Sequence, residues 1–153
     1  MPSPTQTSLE EISVTCACFT TRRTARAITQ LYDRALAPSG LRATQFNLLV
    51  ALARTGAVPF TRLAGILGMD RTTLTRNIAP LERDGLLTMR PGPDRRVKLL
   101  ALTERGRRTL GEAVPLWEGA QHRIVQGLGA GRWDALRRDM QRVAMLAGEA
   151  GPE

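Results

Sequence analysis

Apolar residues return every three or four positions along most of this chain, the period of an amphipathic helix, and only one stretch breaks that rhythm. Phe46, Leu49, Val50 and Ala53 mark one such stripe, and Trp133, Leu136, Met140, Val143 and Leu146 mark another near the C-terminus. Ser8 and Glu11 have the Ser-x-x-Glu spacing of a capping box, so a first helix is predicted from Leu9. It should run unbroken to about Leu36, ahead of Pro38 and Gly40. A second helix is predicted over Thr44 to Arg54, and a short third over Phe60 to Leu67, closed by Gly56 and Gly68. A fourth follows Asp70, a good N-cap, and reaches about Asp84, with Gly85 as its stop. The rhythm then changes. Leu86 to Arg90 and Val97 to Leu102 flank Pro91-Gly92-Pro93-Asp94, which is turn chemistry, so this stretch reads as a hairpin. Thr103 caps a fifth helix predicted to about Gln126, with a kink at Pro115. Gly127, Gly129 and Gly131 mark a loop before a last helix over Arg132 to Ala147.

A short helix, a Gly-containing turn (Leu67-Gly68-Met69-Asp70), a second helix and a hairpin together make a winged helix-turn-helix, here Leu41 to Thr103. The fold class is therefore mainly α, with long helices on both sides, over residues 9–37 and 104–147. In such a unit the second helix enters the major groove. At about 100° per residue, Leu74, Ile78 and Leu81 fall on one buried stripe. Thr72 and Arg76 project opposite it, with Thr75 and Ala79 alongside. Arginine can pair bidentately with guanine, threonine hydroxyls bond bases or phosphates, and methyls meet thymine. Arg71, in the first turn, can reach phosphate. The hairpin carries Arg90, Arg95, Arg96 and Lys98 around Gly92, and a protruding basic hairpin suits a narrow groove of strong negative potential. Asp94, two positions before Arg96, is expected to orient that guanidinium.

Charge agrees with a polyanion partner. The formal net charge is +8. From Arg54 to Arg108 there are twelve Lys or Arg against five Asp or Glu, so nearly the whole excess lies in the middle third. With aromatics at only 4% of residues, the core must come from Leu, Ala, Ile and Val. No run of eighteen apolar residues occurs, and Met1 to Ser8 lacks the regions of a secretory signal, so a cytoplasmic location is expected. No Gly-rich phosphate loop, Gly-x-Ser-x-Gly elbow or His-Glu-x-x-His pattern is found, so the chain is not expected to be an enzyme, and no cofactor is expected. Two cysteines and one histidine, far apart in sequence, do not make a zinc site. A winged helix can also serve as a protein-interaction module without DNA binding; the basic, hydroxyl-bearing helix face favours DNA.

At this point the residues resemble a known family, the multiple antibiotic resistance regulators (MarR). Asp94-Arg95-Arg96-Val97-Lys98-Leu99-Leu100-Ala101-Leu102-Thr103 matches that family's wing motif, Asp-x-Arg-x-x-x-Leu-x-Leu-Thr. Leu63-Ala64 and Leu67-Gly68-Met69-Asp70-Arg71-Thr72-Thr73-Leu74-Thr75-Arg76 match its helix-turn-helix. Leu81-Glu82-Arg83-Asp84-Gly85-Leu86 matches the join into the wing. The resemblance implies a homodimer whose first and last helices interlock. It implies a double-stranded DNA operator whose major groove holds the recognition helix, with Arg71, Thr72, Thr73, Thr75 and Arg76 as its DNA-binding residues. The wing would add Asp94, Arg95 and Arg96, with Arg96 in the minor groove. Many members are repressors released by a small phenolic or otherwise anionic effector, bound between the dimerisation and DNA-binding parts; others are released by thiol oxidation.

Two features bear on that input. Cys16 and Cys18 lie two residues apart on the first helix, where an unbroken helix points their side chains roughly 200° apart. A disulfide needs converging Cβ atoms, so an intact helix disfavours one. Cys16 shares a stripe with Ile12 and Phe19 and is expected to be a buried apolar residue. Cys18, near Arg22, has the cationic neighbour that favours a reactive thiolate. His122, on the fifth helix near Trp117, is expected to be structural. The sequence therefore favours a small-molecule effector over a redox trigger.

Overall fold

The computed structural model describes residues 8–94 and 96–149. The helices are α1 (Leu9–Thr15), α2 (Ala17–Leu36), α3 (Ala43–Thr55), α4 (Phe60–Leu67), α5 (Arg71–Arg83), α6 (Glu104–Leu128) and α7 (Ala130–Glu149). The strands are β1 (Val58–Pro59), β2 (Leu87–Pro91) and β3 (Lys98–Leu102), in one antiparallel sheet of order β1-β3-β2.

The N-terminal helix starts where its cap predicts, with the Ser8 hydroxyl accepting from the Glu11 amide at 3.1 Å. It does not run unbroken to Leu36. Cys16, at φ −64° and ψ 115°, leaves helical geometry and separates α1 from α2. Neither Gly nor Pro marks the break. The run before it is Ser13-Val14-Thr15, where β-branching lowers helix propensity. There the Ser13 and Thr15 hydroxyls donate to the Glu10 and Glu11 carbonyls, a local bonding pattern that competes with the helical ladder.

The core sits in the winged unit and is built from leucine. Leu48, Leu49 and Leu52 of α3, Leu63 of α4, Leu74 and Leu81 of α5, and Leu87 and Leu100 of the hairpin are essentially inaccessible. The predicted Leu74-Ile78-Leu81 stripe is the buried face of α5. Asp33, on α2, accepts from the Ala43 amide at 2.7 Å, so α3 is capped by a residue ten positions upstream. Strand β1, which the periodicity does not reveal, pairs Val58 with Leu100 and Pro59 with Leu99. Two residues, one of them proline, carry no period of their own; the pairing with β3 makes them a strand.

The junction between wing and C-terminal helices is tight. The Thr103 hydroxyl donates to the Gly85 carbonyl at 2.6 Å and accepts from the Gly106 amide at 3.0 Å. The Thr103 amide donates to the Leu86 carbonyl at 3.1 Å. Helix α6 continues through Gly111 and Pro115. The predicted loop at Gly127, Gly129 and Gly131 reduces to Gly129 alone, at φ 84°; helical hydrogen bonding on either side absorbs the other two glycines. Helices α1 and α7 extend beyond the core. Ile12, Phe19, Leu136, Met140, Val143 and Leu146 are all between 41% and 67% exposed.

Candidate nucleic-acid interface

The site is organised by the N-terminus of α5. Asp70 accepts from the Thr73 amide at 2.8 Å and from the Thr73 hydroxyl at 2.7 Å. The Thr73 amide bond and then its hydroxyl bond hold the Asp70 carboxyl below its ordinary pKa, because hydrogen bonds to the charged form favour it. Thr73, singled out with the DNA-facing residues, thus spends its hydroxyl proton on the cap. Thr75 donates to the Arg71 carbonyl at 2.8 Å, so its oxygen turns acceptor lone pairs outward. Thr72, Thr75 and Arg76 are exposed on the face away from Leu74 and Ile78.

The hairpin bounds the other side of a cleft of about 560 Å³ against α5. Arg71, Thr75 and Ala79 line the helix side, and Arg96, Val97 and Lys98 line the wing side. Ile78, Met89 and Leu100 contribute apolar surface. Of the site residues assigned to helix and wing, Arg71, Thr75 and Arg96 line this cleft together with the acidic Glu82, whereas Thr72, Thr73, Arg76 and Asp94 are not among its walls. Arg95 lies outside the described residues.

Asp94 acts differently from its expected role. Its Oδ1 accepts from the Arg96 backbone amide at 3.0 Å, and the described ion pairs are Arg83–Asp84 and Arg107–Glu104. The carboxylate closes an Asx turn, whose amide partner lies two residues on, and makes no ion pair with the Arg96 guanidinium. The turn is closed further by Gly92 donating to the Val97 carbonyl at 2.7 Å and Val97 donating to the Asp94 carbonyl at 2.9 Å. A side chain at Gly92 would put its Cβ 2.9 Å from the Val97 oxygen.

One residue of the site has no signal in the sequence. The Arg71 guanidinium lies over the Phe60 ring, 5.5 Å from its centroid. The two residues begin different helices, and only their packing makes them neighbours.

A second, smaller cavity of about 220 Å³ lies where α2 and α6 meet α3. Ile28, Tyr32, Phe46, Asn47 and Trp117 are among its walls. Phe46 and Trp117 stack at 6.2 Å, and the Tyr32 hydroxyl donates to Gln121. Burial pushes the Tyr32 phenol above its ordinary pKa.

Cys16 is half-buried rather than buried, and Cys18 is exposed; both are free thiols. The stripe that Cys16 shares with Ile12 and Phe19 finds no cover among the described residues, which is why it is not core. His122, expected to be structural, is exposed, because its turn of α6 presents that position to solvent. Among the described residues no three His, Cys, Asp or Glu gather into a metal site, and no helix is long and apolar enough to cross a membrane.

A helix-turn-helix with this outward face, beside a basic hairpin, defines a winged-helix DNA-binding transcriptional regulator. Comparison with known proteins agrees. The MarR family profile matches residues 41–98. The Mycobacterium tuberculosis regulator MosR, solved in complex with DNA, is 43% identical over 90% of this chain and 99% of its own, with a TM-score of 0.83. The transcriptional repressor CouR, solved on a DNA duplex, is 27% identical over 92% of this chain and 99% of its own, with a TM-score of 0.80. CouR has also been solved with p-coumaroyl-CoA. An uncharacterised HTH-type regulator of Bacillus subtilis (strain 168), YwoH, is 33% identical over 82 residues, which span 54% of this chain and 60% of YwoH. The chain belongs to the MarR family.

Proposed function

We propose that this protein is a homodimeric repressor that leaves a palindromic operator when a small aromatic or anionic effector binds. The observation that carries the release step is the aromatic-walled cavity between α2, α3 and α6. Helix α3 belongs to the winged core, whereas α2 and α6 lead into the flanking helices. A ring wedged there would change the distance between two recognition helices, which must sit about one helical turn of DNA apart. The cavity's roughly 220 Å³ exceeds the ~150 Å³ that holds a benzene ring but falls short of a drug-sized site. Its walls carry no charged side chain. An aromatic head therefore enters, and an anionic group stays at the mouth. The p-coumaroyl-CoA complex of CouR supports the same class of effector.

The test uses fluorescence anisotropy of a labelled duplex selected by the protein from a random pool. Aromatic acids and an aromatic acyl thioester are titrated against the complex, with Trp117 emission followed in parallel. Release should occur in wild type and be lost in Ala43→Leu, which fills the cavity while leaving α5 and the wing untouched. Release that persists in Ala43→Leu would move the effector site elsewhere.

One observation favours a second reading. The backbone leaves the helix at Cys16, so the divergence that an unbroken helix imposes on Cys16 and Cys18 no longer applies. A peroxide would transfer one oxygen to the Cys18 sulfur as its O–O bond breaks, giving a sulfenic acid, and its other oxygen would leave as water or alcohol. Attack by the Cys16 thiol would then expel water and form a disulfide. If Cys16→Ser with Cys18→Ser abolishes peroxide-induced release, and no aromatic compound acts on wild type, the redox reading replaces the effector reading.

A further inference from the structure

We infer that Phe60 is a positioning residue for DNA binding, its ring holding the Arg71 guanidinium in place for a backbone phosphate. The inference rests on α5 being the groove-entering helix. Phe60 is the first residue of α4, directly after β1, and Arg71 is the first residue of α5. The ring's position is set from two sides. Behind it, Pro59 pairs with Leu99 of the wing strand β3. Beneath it, Phe60 packs partly against the hydrophobic core. The guanidinium sits 5.5 Å from the ring centroid, within cation–π distance.

Among the described residues no carboxylate forms an ion pair with Arg71: the ion pairs lie at Arg83–Asp84 and Arg107–Glu104, and Glu82, which lines the same cleft, makes none. A cation–π contact ties the guanidinium to no acceptor oxygen, so N–H donors remain for the bidentate pairing with phosphate oxygens. An exposed arginine otherwise loses considerable side-chain freedom on binding. The ring removes part of that loss before DNA arrives. Arg71 also shares the cleft with Arg96 and Lys98, so orienting it orients one of three cations on a single surface. The packing thus ties the wing strand, through β1 and Phe60, to the first turn of the recognition helix.

The test is a double-mutant cycle on the labelled selected duplex. Phe60→Leu keeps apolar bulk and removes the π face. It should weaken binding about 2- to 5-fold per protomer, the size of an exposed cation–π contact, and about 5- to 30-fold for a two-protomer site. Phe60→Tyr should bind within about 2-fold of wild type, since its ring face is retained. In an Arg71→Ala background, Phe60→Leu should cost nothing more. In the free protein, the Arg71 Nε–Hε resonance should lie upfield from the ring current in wild type and Phe60→Tyr, and return to an ordinary position in Phe60→Leu. An equal loss from Phe60→Leu with and without Arg71 would mean that Phe60 acts through the fold alone and would overturn the inference. So would unchanged binding by Phe60→Leu. Failure of the wild-type protein to select any duplex would instead overturn the reading of α5.

Discussion

Arg76 and Arg96 stand on different elements, so under the proposed DNA-binding role their loss should be felt differently. Arg76 is exposed on α5, opposite Leu74 and Ile78, and is proposed to read base edges in the major groove. Arg76→Ala should flatten the preference at one base pair in each half-site, at a cost of about 1–3 kcal/mol. Arg96 stands on the wing with its amide held by Asp94 and is proposed to read groove shape. Arg96→Ala should weaken binding to most sequences and reduce any preference for flanking A·T tracts. Binding-site selection with each variant separates the two. A full base preference in Arg76→Ala would mean the helix face is out of register. At Asp70 the prediction concerns pH. Its folded-state pKa is depressed, so its contribution to stability is present above the unfolded-state value and disappears as pH falls through the lower folded-state value. Asp70→Ala should therefore unfold at lower urea than wild type at neutral pH, and the gap should close from about pH 4 downward. A gap that stays constant into acid would remove the charged cap from the account.

At the scale of elements, the joint between wing and α6 leaves no room for a side chain. A Cβ on Gly106 would lie 2.0 Å from the Leu86 carbonyl oxygen and 2.8 Å from Leu102 Cδ2. That oxygen already accepts from Thr103, so backbone must move. Gly106→Ala should cost about 1–3 kcal/mol, as overpacking does, and lower the melting temperature by several degrees. Gly111, in the same helix, has nothing within 4 Å of a built Cβ. Gly111→Ala should raise stability by about 0.5–1 kcal/mol. Calorimetry on the pair tests this directly, and equal effects would contradict the close approach. Most elements were legible from punctuation: Asp70 and Gly68 bracket the turn, Thr103 begins α6, and the bounds of α4 fall where its apolar run and Gly68 put them. The break at Cys16 and the strand β1 were not. The first arises from hydroxyl back-bonding and β-branching in a run with no breaker residue. The second exists only through its partner.

For the whole molecule, the decisive feature is apolar surface that none of the described residues covers. Leu136, Met140 and Val143 of α7, and Ile12 and Phe19 near the N-terminus, remain 41–53% exposed. Stripes of this kind mark an interface. Light scattering at micromolar concentration should give a dimer, and Val143→Asp should shift it toward monomer and weaken DNA binding together. A monomeric wild type would overturn the proposed assembly. Binding should also weaken steeply with salt. A dimer making roughly 6–10 phosphate contacts should lose about 10³–10⁵ in affinity between 50 and 200 mM salt. A flat response would show that the basic middle third does not face DNA.

The sequence by itself determined the winged unit, because its signals are local: a cap binds an amide three residues on, and a helical stripe repeats within a turn. It also determined which face of α5 carries Thr72 and Arg76, since that face follows from helical geometry and the buried Leu74-Ile78-Leu81 stripe. Only the tertiary structure decided that Arg71 lies over the Phe60 ring, that Asp94 holds a backbone amide and not a guanidinium, and that Tyr32, Phe46 and Trp117 wall one cavity. The partners in the first and last of these sit on separate elements, and their distances are fixed by how a shared leucine core packs. In the wing the choice was local but geometric. Asp94 could reach either group on Arg96, and the turn set by Gly92 and Val97 brings the amide to it first.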